Sequence, residues 1–335
     1  MQITDLYSTF DEEVNRHMYD FHTHFIPKEA LNWLQDNKEI IHAKWEKKFV
    51  DKHEFLTVNG KWGFELKPTF YDLSLFQQDA MNAGITHSML SPIPQLFMYD
   101  FSTDITTEIS QIYNSSLAKI VQDSPDSFSA LATVPLNDPK KAATVLKDAM
   151  NKGLKGAIIG PGLDDKLLSD EFFTPLFEEA NRMKAILFIH PLLSTDPRIK
   201  SKKMPNLIGV PWETTVTATD IVLSGLIDKY PHVKILFAHG GGFLPYQLGR
   251  LDKGYRQWKE VSTNLNEAPS EYVKRFWYDS VLWNPNSLDL LIKTVGEDKV
   301  VPGSDYPFDL AVWPPEISSD KGAHSLLGFV STETK

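Results

Sequence analysis

Short apolar runs rich in Val, Ile and Phe alternate along the 335-residue chain with longer segments whose apolar positions recur every three or four residues. The short runs have the length and composition of strands, and the longer ones the period of helices. The pattern predicts strands over Met18–His24, Ile85–Ser91, Ser129–Val134, Gly156–Ile159, Ala185–His190, Lys234–His239, Phe276–Tyr278 and Lys299–Pro302. It predicts helices over Leu73–Asn82, Thr107–Ser124, Pro139–Lys152, Phe172–Met183, Val216–Lys229 and Ser287–Val295. Asp138 stands as an N-cap for the third of these, with Pro139 at its first position. Strands alternating with helices in this way predict an α/β chain folded as a parallel TIM barrel, (β/α)8. An open, doubly wound sheet is the other solution, but no Gly-rich dinucleotide fingerprint follows the first strand.

The stretch 27–72 is too long for a simple connection between a strand and a helix. Within it Asn59-Gly60 separates Phe55–Val58 from Lys61–Leu66, and Asn-Gly between β-prone runs predicts a hairpin. Because it follows the first strand, this insertion, expected as a helix plus the hairpin, should lie over the carboxyl mouth of the barrel, its aromatics lining or covering a pocket. The rest of 1–335 reads as one barrel domain. The tail, Ser318 to Lys335, is polar and weakly patterned.

Composition narrows the chemistry. Hydrophobic residues make up 42% and charged residues 23%, ordinary values for a soluble enzyme. A net charge of −10 argues against nucleic acid or an anionic membrane as partner. The absence of cysteine excludes disulfides, a thiolate nucleophile and thiolate metal ligands. No apolar run approaches a bilayer span and the first residues do not resemble a signal peptide, so a cytoplasmic location is expected.

Candidate chemistry sits at the strand ends. His22 and His24, two apart on a strand, point to one face and can reach one ion. His190 closes the fifth run, His239 the sixth, and Asp305 follows the eighth. In a parallel barrel all these ends converge on one face. Three imidazoles and a carboxylate suit zinc or a similar divalent ion. Each residue alone has a plainer reading, His190 as a core histidine, His239 as a strand end before three glycines, Asp305 as a turn residue. Glu213 reads as a helix-start residue, or as a contact to a ligand histidine.

The motifs His22-Thr23-His24-Phe25-Ile26-Pro27, Phe188-Ile189-His190-Pro191, Gly209-Val210-Pro211-Trp212-Glu213, Phe237-Ala238-His239-Gly240-Gly241-Gly242 and Gly303-Ser304-Asp305-Tyr306-Pro307 resemble the amidohydrolase superfamily. The similar branch holds carboxymuconate-semialdehyde decarboxylase and related non-oxidative decarboxylases. The resemblance implies a distorted (β/α)8 barrel with a single divalent ion, usually zinc with manganese as an alternative, held by His22, His24, His190 and Asp305. It implies that His239 moves protons rather than binding the ion. Binuclear relatives carry a modified lysine at the end of strand four, whereas Gly156–Gly160 holds none. Arg250 matches an arginine that crosses a homodimer interface to a substrate carboxylate. Two positions depart from the pattern: about where that branch places a second arginine stands Phe64, and where it places a tryptophan stands Leu192. With Trp62, they imply a more apolar substrate pocket.

These readings converge on a metal-dependent carboxy-lyase acting on a small unsaturated or aromatic carboxylic acid, with His239 and Asp305 as the proton-handling pair. The alternative is a hydrolase of an amide, lactone or ester using the same groups, since fold does not decide function. A metal-binding protein without catalysis is the remaining class.

Overall fold

The computed structural model describes residues 18–47, 53–61, 63–317 and 319–328. Eight short parallel strands run in chain order: β1 Met18–His24, β2 Ile85–Ser91, β3 Phe128–Ala130, β4 Gly156–Ile159, β5 Ile186–Ile189, β6 Lys234–Phe237, β7 Trp277–Asp279 and β8 Val300–Val301. β1 to β3 form one sheet and β4 to β8 another. Backbone hydrogen bonds join the two at both seams. Between β3 and β4, Ala132 N donates to Gly156 O and Ile158 N to Ala132 O, each at 2.9 Å. Between β8 and β1, Phe21 N donates to Pro302 O, Asp305 N to His22 O and His24 N to Tyr306 O, each at 2.8 Å. The ring is therefore closed, a distorted barrel whose seams rest on single bridges and loop backbone.

Alternation along β5 shows how the sequence fills it. Ile186 and Phe188 face the barrel interior, while Leu187 and Ile189 pack outward against the helical layer. Phe21, Met89, Leu131, Ile158, Leu236 and Val301 complete the interior cluster. At Gly156 a Cβ would lie 1.8 Å from Ile186 O, so only glycine permits the β4–β5 approach. In β1 the register shifts between Asp20 and Thr23, and the irregularity turns both Phe21 and His22 inward.

The helices are α1 Lys28–Asp36, α2 Leu73–Asn82, α3 Thr103–Asp123, α4 Pro139–Asn151, α5 Thr174–Met183, α6 Val210–Leu223, α7 Leu244–Gln257, α8 Pro285–Val295 and α9 Lys321–Leu327, beside single turns. Asp138 caps α4 by accepting from Lys141 N, and Asp72 caps α2. Several expectations are corrected. The expected helix Val216–Lys229 starts at Val210 and breaks at Gly225, whose φ of +67° is left-handed. α3 starts at Thr103, where Ser102 accepts from Ile105 N. The third strand ends at Ala130, beyond which only Ala132 bridges to the next strand. The tail holds a helix, α9. Its Ala323 and Leu326 join the interior cluster and plug the floor of the barrel.

The insertion carries α1 and a three-stranded antiparallel sheet of Lys44–Lys47, Glu54–Thr57 and Phe64–Glu65. Asn59 and Gly60 both hold positive φ, the turn that Asn-Gly favours, and Leu56 pairs with Phe64 across it. Its third strand, Lys44–Lys47, was not foreseen. Among the described residues no helix is long and apolar enough to cross a membrane.

Candidate metal centre and active site

The mouth of the barrel gathers His22, His24, His190, His239, Asp279 and Asp305, all buried. The Nε2 atoms of His22 and His24 lie 3.1 Å apart, and each is 3.2 Å from Asp305 Oδ1. With His190 they offer ligand atoms all within 4.8 Å of one another. Donors bound at about 2.1 Å to a common ion sit roughly 3 to 3.5 Å apart, so the spacing fits one divalent cation.

The far side of each ring supports this. His22 Nδ1 donates to Asp279 Oδ2 at 2.5 Å, His24 Nδ1 to Pro92 O at 3.2 Å and His190 Nδ1 to Pro191 O at 2.8 Å. Carboxylate and carbonyl oxygens only accept, so each Nδ1 carries a proton and each neutral ring leaves its lone pair on Nε2. His190 Nε2 and Asp305 Oδ1 are buried with no hydrogen-bond partner, which suits atoms that would ligate a metal.

The electrostatics agree. Burial disfavours charge on His22, but Asp305 and Asp279 outweigh it and raise its pKa to about 10. Burial, then charge on neighbouring imidazoles, lowers His190, and burial is the main cause of the same shift at His24. Burial would raise Asp305, yet the facing imidazoles hold it well below the usual carboxylate range. The carboxylates thus pull positive charge into the cluster, and a divalent ion answers that field with the rings neutral.

His239 occupies a different place. Its Nε2 lies 3.6 Å from Asp305 Oδ2, the oxygen turned away from His22 and His24. Its Nδ1 is buried without a hydrogen bond, and its ring stacks on Trp283 at 5.9 Å between centroids. His239, Trp283 and Asp305 all have positive φ, backbone strain concentrated at one spot. Asp279 holds the loop by accepting from His239 N and Gly240 N at 2.9 Å and from Val281 N at 3.2 Å. Asp20, pushed up to about 7 by burial, accepts from His22 N and from Ser304 beside Asp305. Gly303 permits the close approach of that loop, since a Cβ there would lie 2.9 Å from Asp279 and 3.0 Å from His22.

A cavity of about 720 Å³ opens above His190, His239 and Asp305. The insertion contributes Phe55, Phe64, Lys67 and Phe70 to its walls, and the opposite side contributes Leu193, Lys200, Lys203 and Val210. Phe64, Phe70 and Phe308 pack edge to face at 5.0 to 6.0 Å, and Phe308 reaches His24 at 5.1 Å.

Of the residues expected from sequence, His22, His24, His190, His239 and Asp305 are brought together and Phe64 lines the cavity. Leu192 does not line it: it packs against the barrel interior, and its neighbour Leu193 faces the cavity instead. Trp62 lies outside the described residues. Arg250 is exposed on α7, and Glu213 stands in the first turn of α6; neither lines this cavity. Sequence reasoning missed Asp279, Asp20, Trp283, Lys67, Lys200 and Lys203. Asp279 alone had a signal, its position directly after an apolar run.

A closed parallel barrel with three histidines and an aspartate at its carboxyl ends defines a metal-dependent barrel protein. Residues 19–323 match the amidohydrolase family, and the chain belongs to it. It is 29% identical over 304 residues to 2-amino-3-carboxymuconate-6-semialdehyde decarboxylase of Dictyostelium discoideum, covering 88% of this chain and 83% of that protein. Its fold is similar to that of 5-carboxyvanillate decarboxylase from Sphingomonas paucimobilis, with TM-score 0.74 and 22% identity over 90% of this chain and 91% of the other. The corresponding enzyme of Novosphingobium aromaticivorans, solved with manganese and 4-hydroxy-3-methoxy-5-nitrobenzoic acid, superposes with TM-score 0.73 and 22% identity, covering 94% and 91% of the two chains.

Proposed function

We propose that this chain is a metal-dependent, non-oxidative carboxy-lyase acting on a small unsaturated or aromatic carboxylic acid. One observation carries the reading: Asp305 turns one oxygen to the imidazole cluster and the other to His239, beneath an aromatic-walled cavity. The decarboxylases among its relatives and fold neighbours support it.

His22, His24, His190 and Asp305 would hold one divalent ion, zinc in our reading, with the manganese of the Novosphingobium structure as the alternative. Bound there, such an ion draws electron density from a substrate oxygen. The remaining chemistry falls to the side chains. A carbon that loses CO2 keeps the bonding electron pair and must gain a proton. Asp305 Oδ2 delivers that proton, and His239 supplies it to Asp305 across their contact. Phe64, Phe70 and Phe308 line the cavity with apolar rings that suit a planar substrate and exclude water. Lys200 and Lys203 give an acidic chain local positive charge where a carboxylate enters.

We assign the cytoplasm as its location and a homodimer as its assembly. Ile208, Trp212 and Val216, spaced four residues apart, are exposed, as are Tyr246 and Phe243, whose backbone N donates to Thr215 Oγ1 on the same helix as Trp212 and Val216. Arg250 lies one turn beyond Tyr246, and in our reading it orients a carboxylate in a partner's cavity with its planar fork. Sedimentation of a monomer at micromolar concentration, or an Arg250→Ala enzyme with unchanged kinetics on a carboxylated substrate, would remove this assignment.

The functional test is a panel of unsaturated and aromatic acids, esters and lactones offered to metal-loaded protein. CO2 release from an acid is expected. Ester or lactone cleavage with no CO2 release from any acid would replace the lyase by a hydrolase.

A further inference from the structure

We propose that Gln95 reads a hydroxyl or amino substituent on the substrate and so fixes which carboxylic acid the cavity accepts. The inference rests on the cavity being a site for a planar acid.

Gln95 lies in the turn Pro94–Leu96 that follows β2, between two buried neighbours, and lines the cavity with His190, His239 and Asp305. Its amide offers two N–H donors and a carbonyl acceptor. Both Nε2 and Oε1 are buried, and neither has a hydrogen-bond partner. Buried amides are ordinarily satisfied, because an unmet donor or acceptor keeps its full desolvation penalty.

No structural duty accounts for it. The turn is closed by backbone alone, with Leu96 N donating to Ile93 O at 2.9 Å and Phe97 N to Pro94 O at 3.2 Å. Several of the other polar groups around the cavity are committed. Lys67 donates to Pro307 O and Asp309, Trp283 Nε1 donates to Leu310 O, and His190 and Asp305 belong to the metal cluster. Gln95 thus brings an unpartnered donor and acceptor to a cavity whose lining also includes Phe64, Phe70, Phe308, Leu193 and Val210. A few polar groups in an apolar cavity set ligand orientation. A hydroxyl or amino group, able both to give and to take a hydrogen bond, satisfies the amide. A bare ring leaves it stranded, and sites built around such a bond reject the analogue that lacks it.

The test measures binding, not turnover, on metal-loaded protein. Wild type and Gln95→Met, which keeps length and volume, are titrated calorimetrically with benzoate and with 2-, 3- and 4-hydroxybenzoate and the matching aminobenzoates. Wild type should bind at least one substituted isomer roughly 10- to 100-fold tighter than benzoate, the scale of one buried hydrogen-bonded group. Gln95→Met should bring that isomer to parity with benzoate and leave benzoate affinity unchanged. Its melting temperature should stay level or rise, since an unpartnered amide has been removed. A lowered melting temperature with uniform loss of all ligands would make Gln95 structural and overturn the proposal. So would a wild type that binds the acids equally, or none of them. Substituent preference without CO2 release from any acid would retain Gln95 and reject the lyase, and the converse would do the opposite.

Discussion

The two ends of the barrel bury opposite kinds of side chain. At the floor, Ala323 and Leu326 of α9 close on Phe21, Ile186 and Leu236, an apolar cluster with no positive φ among these five residues. At the mouth the same strands end in buried histidines and aspartates, with positive φ at His239, Trp283 and Asp305. The floor has what stability requires and little that chemistry can use. The mouth holds strained backbone and desolvated charge, which persist only because the surrounding structure over-determines them. Substitutions at the two ends should therefore separate stability from chemistry.

The largest effect is expected at the mouth. His190→Ala removes one of four donors, and a three-donor N/O site binds far more weakly. Elemental analysis of zinc-loaded wild type should give about one equivalent, from one cluster of four donors, and the variant should lose most of it together with activity. Two tightly held equivalents in the wild type would contradict a single-ion site. His239→Ala should keep its metal and its fold, because His239 stands outside the donor cluster. Its turnover should fall by roughly two orders of magnitude or more, the scale of losing a positioned acid or base. Full activity would show that Asp305 needs no partner.

The floor should answer in the other currency. Leu326 is fully buried, and Leu326→Ala should cost about 2 to 5 kcal/mol of stability. Urea melts should show this, while metal content and turnover of the folded protein stay at wild-type values. A Leu326→Ala enzyme with weakened metal binding would mean that the two ends are mechanically coupled.

The same division explains what the sequence disclosed. Each barrel strand was visible because its apolar run ends abruptly, and ligands placed just past such an end inherit that visibility. Asp279 escaped because β7 is three residues long, so its last residue resembles a loop. Gln95 and Trp283 follow no periodic signal; turns bring them to the cavity, and turn geometry depends on packing more than on local residue type. α7 went unseen because Arg250, Asp252, Lys253 and two glycines dilute its apolar period. α9 offers only seven residues, and its apolar face has meaning only against the floor it plugs. The strand Lys44–Lys47 is polar and largely exposed, held by backbone pairing to Glu54–Thr57.

The finest test falls on the residue that joins both halves of the mouth. Asp279 Oδ2 accepts from His22 Nδ1 and His239 N, and Oδ1 accepts from Gly240 N and Val281 N. Asp279→Asn keeps the shape but exchanges one acceptor for an NH2 group. Whichever way the amide turns, a donor then faces a donor. If it faces His22 and His239 N, the ring loses the bond that keeps its lone pair on Nε2, and metal affinity should fall roughly 10- to 100-fold, the usual scale for such supporting partners, together with turnover. If it faces Gly240 and Val281, the loop carrying His239 loosens, and turnover should fall with metal still bound. Measuring zinc affinity by competition with a chelator, alongside turnover at saturating zinc, distinguishes the two. A loss in neither would mean that the strained loop holds His239 without Asp279, and that the mouth is no more dependent on its buried charge than the floor.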